Sequence, residues 1–116
     1  MLKTFKLPKE ALHPLAPGRG SCLATDMITV EGLPVGFMYR EAPTYRDDSG
    51  WRFTAGEESD AYMEDPDHHG VYDVNTLANY DQDILPLLDA PIGSAFERDP
   101  ASGRLIPVED WDAPEG

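Results

Sequence analysis

Asp47-Asp48-Ser49-Gly50-Trp51-Arg52-Phe53-Thr54-Ala55-Gly56-Glu57-Glu58-Ser59-Asp60-Ala61-Tyr62-Met63 is the stretch from which the rest of the chain is parsed. In Asp48-Ser49-Gly50 the two polar side chains can bond the backbone just ahead of them and Gly accepts positive φ, which is the chemistry of a turn. Trp51 and Phe53 then share one face of a short strand, with Arg52 on the other. Gly56 ends that strand, and Glu57 and Glu58 follow where a helix N-terminus favours negative charge. Trp51 is expected to anchor the core; the competing reading makes it an exposed partner hot spot.

Upstream, residues 1–20 contain Pro8, Pro14, Pro17, Gly18 and Gly20. That spacing forbids a long helix and suits an extended arm laid on the domain, anchored by Leu2, Phe5, Leu7, Leu12 and Leu15. From Ser21, Cys22, Ala24 and Ile28 alternate with Leu23, Thr25, Met27 and Thr29, and both sets are apolar enough for a strand covered on two sides. Glu31-Gly32-Leu33-Pro34 reads as a turn. Val35, Phe37 and Tyr39 then alternate with Gly36, Met38 and Arg40 in a second strand, antiparallel to the first. A polar loop over residues 41–50 leads to the strand at 51–54 and completes a meander.

Downstream, a helix at 57–63 is expected to turn Ala61, Tyr62 and Met63 inward and Glu57, Asp60 and Glu64 outward, until Pro66 stops it. After the polar link Asp67-His68-His69-Gly70 and the pair Val71-Tyr72, Leu77, Tyr80 and Ile84 recur at helical spacing, with Asp73 or Asn75 as the cap. Asp83 caps a further short helix that tolerates Pro86 in its first turn and supplies Leu85 and Leu88 to the core. A strand at 92–98, the turn Asp99-Pro100-Ala101-Ser102-Gly103 and a strand at 104–108 close the fold, and Pro107, lacking a donor, places the last strand at the sheet edge. The expected architecture is α+β: a single small domain with an antiparallel sheet of about five strands and two or three short helices on one face. It divides into an extended arm at 1–20, the domain at 21–108 and an acidic tail at 109–116 that holds Trp111.

A chain of 116 residues builds one core. Its charge is less ordinary: nine Lys+Arg against 22 Asp+Glu give a formal −13, which argues against nucleic acid or an anionic membrane as partner. Residues 1–40 carry five basic and three acidic side chains, residues 41–83 carry two and 12, and residues 84–116 carry two and seven. The acidity is therefore concentrated in the middle third, as a solvated face or as the counterpart of a basic partner. Cys22 is the single cysteine, so no intrachain disulfide forms and a reducing compartment is the simpler expectation. With no apolar leader core and no stretch of membrane-spanning length, the expectation is a soluble cytoplasmic protein.

Asp65-x-Asp67-x-His69-Gly70-x-x-Asp73 is similar to the opening of a calcium-binding helix–loop–helix, but position twelve, where a bidentate Glu belongs, is Thr76. Adjacent His68 and His69 rarely converge on one transition-metal ion, and no Cys-x-x-Cys pair supports zinc. Cys22 in an apolar strand reads as an inert thiol, Ser49 lacks the strand-to-helix setting of a nucleophile elbow, and no phosphate-binding glycine loop is present. No catalytic residue, metal or cofactor is expected. A metal-binding role for residues 65–69 and a small acidic adaptor module remain the competing classes.

The blocks Ser21-Cys22-Leu23, Gly36-Phe37-Met38-Tyr39-Arg40-Glu41, Asp48-Ser49-Gly50-Trp51-Arg52-Phe53, Gly56-x-Glu58-Ser59-x-x-Tyr62-Met63, Asn75-Thr76-x-Ala78-Asn79-Tyr80 and Gly93-Ser94-Ala95-Phe96-Glu97-Arg98 occur in that order. Together they resemble the immunity protein 33 family of bacterial polymorphic toxin systems, over roughly residues 21–98. The resemblance implies a non-catalytic partner that binds a cognate protein toxin in the producing cell, and it carries over no catalytic residue. Within these blocks Asp48, Ser49, Gly50, Trp51, Tyr62, Asn79 and Tyr80 are the expected structural residues. An acidic protein would suit a basic toxin. The expected binding patch is Glu57, Glu58, Asp60, Glu64, Asp65 and Asp67, which lie within eleven residues, supported by Asp47 and Asp48.

Overall fold

Strand β1 (Ser21–Thr25) buries Cys22 and Ala24 on one side, and there the alternation expected to run on to Thr29 breaks. Asp26–Thr29 is instead a single helical turn, α1. The apolar residues 27–29 suit both periods, and a short run of that kind does not separate strand from helix. The computed structural model describes residues 5–109; Leu2 and Trp111 lie outside them. After β1 and α1 come β2 (Phe37–Arg40), β3 (Asp48–Thr54), α2 (Asp60–Glu64), β4 (His69–Asp73), α3 (Val74–Tyr80), a 3₁₀ segment at Gln82–Leu87, β5 (Ala95–Arg98) and β6 (Leu105–Pro107).

The fold is α+β, a six-stranded, mostly antiparallel sheet in the order β4-β1-β3-β2-β5-β6. It is not the expected meander. β3 lies between β1 and β2 and runs parallel to β1; such a pair needs a long crossover, here residues 26–47 with α1 and β2 inside it. The sixth strand is β4, which occupies part of the supposed polar link and pairs with β1 from Ser21↔Asp73 to Thr25↔His69. β6 lies at the sheet edge, where Pro107 needs no partner for a missing donor.

β3 begins at Asp48, so Asp48-Ser49-Gly50 sits inside a strand rather than in a free turn. The local chemistry is nevertheless the expected one. Asp48 Oδ1 accepts the Gly50 N–H at 2.9 Å, Ser49 Oγ accepts the Trp51 N–H at 3.1 Å, and Gly50 takes φ +87°. These bonds build a bulge: two steps along β1, from Ser21 to Leu23, are matched by four along β3, from Asp48 to Arg52. A Cβ on Gly50 would stand 2.1 Å from the Glu41 carbonyl oxygen, so a side chain there is barred by contact as well as by backbone strain.

The core lies between one sheet face and the helices. Trp51, Phe53, Met38 and Phe96 meet Ile28 of α1, Val74, Leu77 and Ala78 of α3, and Ile84 and Leu88 at the 3₁₀ segment. Asp73 caps α3 through the Asn75 N–H, while Asp81, not the expected Asp83, caps the 3₁₀ segment. Asp81 also accepts the Val35 N–H at 3.0 Å and pairs with Arg98 at 2.6 Å, which fixes the approach to β2. α2 departs from the expected helix at 57–63: it starts after the cap Ser59, none of its residues is buried, and Ala61 and Met63 are exposed. It therefore lies outside the helical layer. Among the described residues no helix is long and apolar enough to cross a membrane.

Asn75, Asn79 and Tyr80 hold the N-terminal segment against α3. Asn75 Oδ1 accepts the Leu15 and Ala16 N–H groups at 2.7 Å each, Asn79 Oδ1 accepts that of His13 at 2.8 Å, and both amide Nδ2 groups donate to the His13 carbonyl at 2.9 Å. The Tyr80 hydroxyl accepts from the Leu7 N–H and donates to the Thr29 carbonyl. Spacings of four and five residues put these side chains on adjoining parts of the helix surface, so the polar residues of this block strap down a segment rich in Pro and Gly.

Candidate functional site

The acidic residues singled out in the sequence separate into three groups. Asp60, at the start of α2, Glu64, at its end, and Asp67, beyond it, are exposed, as is Glu57 ahead of the helix. Glu58 and Asp65 are partly withdrawn. Glu58 takes hydrogen bonds from the Thr25 hydroxyl and from the Ala55 and Gly56 N–H groups; burial opposes its ionised form, yet these donors outweigh it and its pKa falls below the ordinary value. Asp65 accepts the Asp67 N–H at 2.9 Å and caps the 3₁₀ turn at Pro66–His68.

Asp47 and Asp48 form the third group, and neither supports the patch. Both lie at the start of β3, whereas α2 follows its far end. Asp47 is exposed, but the Asp48 side chain is fully buried and grips Arg52 through two bonds of 2.8 Å. Arg52, on the strand face opposite Trp51 and Phe53 as expected, has a side chain only 5% exposed and donates from Nε to Glu41 at 2.5 Å. In an unbroken strand, residues four apart stand about 13 Å from one another; the bulge shortens that path and lets the carboxylate reach the guanidinium. Asp48-x-x-x-Arg52 is thus a paired charge inside the sheet, invisible to a count of acidic residues.

The loop at 65–73 does not wrap around an ion. His69–Asp73 is strand β4, so the fifth and ninth positions of the supposed calcium loop stand about 13 Å apart, beyond the span that bonds of about 2.3–2.6 Å allow. His68 Nδ1 and His69 Nε2 lie 2.9 and 2.8 Å from the Tyr62 and Met63 carbonyl oxygens, and Tyr62 stacks on His68 with ring centroids 3.9 Å apart. Among the described residues no three His, Cys, Asp or Glu side chains are grouped to hold a metal ion.

Cys22 is fully buried at the centre of β1. Burial first, and then the charge of Asp73, push its thiol pKa far above the ordinary value, the opposite of what a nucleophile needs. Thiol reagents are expected to leave Cys22 unmodified in the native chain and to label it once urea unfolds the protein. Rapid native labelling, followed by mass spectrometry, would contradict this.

What remains as a candidate site is an exposed acidic segment lying next to the sheet face opposite the core. The family model of the immunity protein Imm33 domain matches residues 22–109. The chain belongs to that family. Comparison with curated proteins and with solved structures gave no match. The Imm33 match runs from β1 past the end of β6 and so takes in the whole sheet, the bulge, α2 and the asparagines of α3. Within this Imm33 domain, Glu97 of β5 is an exposed acid that local patterning around α2 missed, whereas Glu41 is half-buried against Arg52. Pairing of Glu97 with Phe37 brings it near the site, and no local spacing in the sequence encodes that.

Proposed function

We propose that this chain is an immunity protein that binds a cognate toxin stoichiometrically in the cytoplasm of the bacterial cell producing it, and blocks the toxin without chemistry of its own. The observation that carries this reading is the Imm33 family match over residues 22–109. The inert burial of Cys22 and the acidic exposed segment support it. Glu57, Asp60, Glu64 and Asp67, with Asp65 beside them, then face a basic toxin surface, whose approach the excess negative charge accelerates.

Reversing Asp60, Glu64 and Asp67 to Lys is expected to slow association with the toxin and to weaken protection of cells expressing it. The melting temperature should hardly move, because exposed charges contribute little to folding. The wild-type on-rate, measured by stopped flow, should fall steeply as salt rises, since steering is screened over about 8–10 Å at physiological ionic strength. Full protection by the reversed variant would place the interface elsewhere. Failure of the wild-type chain to protect would end the immunity reading.

A further inference from the structure

One face of the sheet packs on the core, and among the described residues the other carries no helical layer beyond the reach of α2 at one end. Pairing aligns Val71, Leu23, Arg52 and Tyr39 across β4, β1, β3 and β2, and aligns Thr54, Phe37, Glu97 and Ile106 across β3, β2, β5 and β6. Leu23, Phe37, Tyr39, Val71 and Ile106 all stay outside the buried cluster. Val71 is 61% exposed, Ile106 39% and Met63, reaching over from α2, 38%. These apolar side chains alternate with Arg52, Thr54 and Glu97, so the face offers apolar and polar contacts side by side.

Where the ends of β2 and β3 approach α2, this face deepens into a groove of about 730 Å³, lined among others by Phe37, Thr54, Met63, Glu57 and Glu97. The groove is open to solvent along its length, a shape that suits an extended segment rather than an enclosed small molecule. Arg98 also lines it, but its guanidinium is paired to Asp81 at 2.6 Å and Asp83 at 2.7 Å. Glu58 is likewise engaged by Thr25, Ala55 and Gly56. The carboxylates of Glu57 and Glu97, by contrast, have no hydrogen bond or ion pair among the described residues.

We propose that this groove receives an arginine-bearing basic segment of the toxin, and that it forms the centre of the interface for which the α2 acids are the steering rim. The inference rests on the immunity reading. An anionic segment would meet uncompensated carboxylates, and a purely apolar one would strip Glu57 and Glu97 of water without replacing it. An arginine resolves both: its stem and flat guanidinium lie on Phe37 and Met63, while its donors reach the carboxylates. Arginine and aromatic side chains with an apolar centre and a polar rim are the composition of binding hot spots.

The test titrates the ¹⁵N-labelled full chain with a hexa-arginine amide peptide, using a hexa-citrulline peptide as the uncharged control. Saturable amide shifts are expected at Phe37, Thr54, Met63 and Glu97 with the arginine peptide alone. Glu57→Gln/Glu97→Gln should weaken binding by about tenfold or more, or roughly 1.4 kcal/mol. The charge-matched Glu10→Gln/Asp89→Gln variant, altered on the helical side, should stay within about twofold. Shifts spread evenly over Asp60, Asp65 and Asp67 with equal loss in both variants would overturn the groove. So would the absence of shifts, or self-association of the chain through this face. Those failures leave protection by the wild-type chain intact, whereas loss of that protection is a failure of the immunity reading itself.

Discussion

Replacing Asp48 by Ala is expected to lower the unfolding free energy by about 3–5 kcal/mol, because it leaves the buried Arg52 guanidinium with one carboxylate, Glu41, and the Trp51 carbonyl in place of the bidentate pair. Against a total of roughly 5–15 kcal/mol for a domain of this kind, that is enough to threaten the fold. Urea denaturation monitored by circular dichroism measures it. Asp48→Ala/Arg52→Met should recover much of the loss, since no fully buried charge is then stranded and the carboxylate released, Glu41, is 23% exposed and can be solvated. A single variant within about 1 kcal/mol of wild type would show that the pair is not what holds the bulge.

The same pair sets the acid response. Hydrogen bonds from Arg52, opposed by burial, hold the Asp48 carboxyl far below the usual carboxylate range, and the carboxylate in turn raises the Arg52 pKa. A folded pKa below the unfolded one means that the stabilisation is whole above about pH 4 and is lost as pH falls toward the folded value. The melting temperature of the wild-type chain should therefore decline below about pH 4, and Asp48→Ala should flatten that decline. A wild-type melting temperature that holds steady from about pH 5 to pH 2.5 would contradict the assignment.

Trp51→Ala should cost about 3–5 kcal/mol by opening a cavity in the centre of the core. Trp51 is 1% exposed, donates from Nε1 to the Leu88 carbonyl at 3.2 Å and stacks near Phe53 at 6.1 Å between ring centroids. Its ring bridges the sheet to the end of the 3₁₀ segment, so the loss should be global and cooperative. This burial also removes Trp51 from consideration as a partner hot spot. In a Trp111→Phe background, acrylamide should quench the remaining fluorescence weakly until the chain unfolds; strong native quenching would be inconsistent with the packing.

Much of this was legible locally. Asp and Ser ahead of Gly gave the backbone bonds at 48–51, the cap of α3 was narrowed to Asp73 or Asn75 and is Asp73, and Pro107 gave an edge strand, because each follows from the chemistry of a few neighbouring residues. The α+β class followed from short alternating segments set among short helical ones. The strand order did not follow. Inserting β3 between β1 and β2 satisfies the same alternation as a meander would, and hydrophobic period alone says which face is buried but not which neighbour is paired.

The chain's residue types by themselves determined its acidity, its want of a disulfide and its turn, cap and edge chemistry, since these depend on composition or on partners within about four residues. Only the tertiary structure decided which acids are free. Asp48 was drawn inside by a bulge against Arg52, Glu58 was tied to Thr25 across the fold, and Glu57 and Glu97, 40 positions apart in the sequence, were left at one groove. Charge in a sequence is a count, whereas charge at a surface depends on which groups find partners, and those partners come from distant strands.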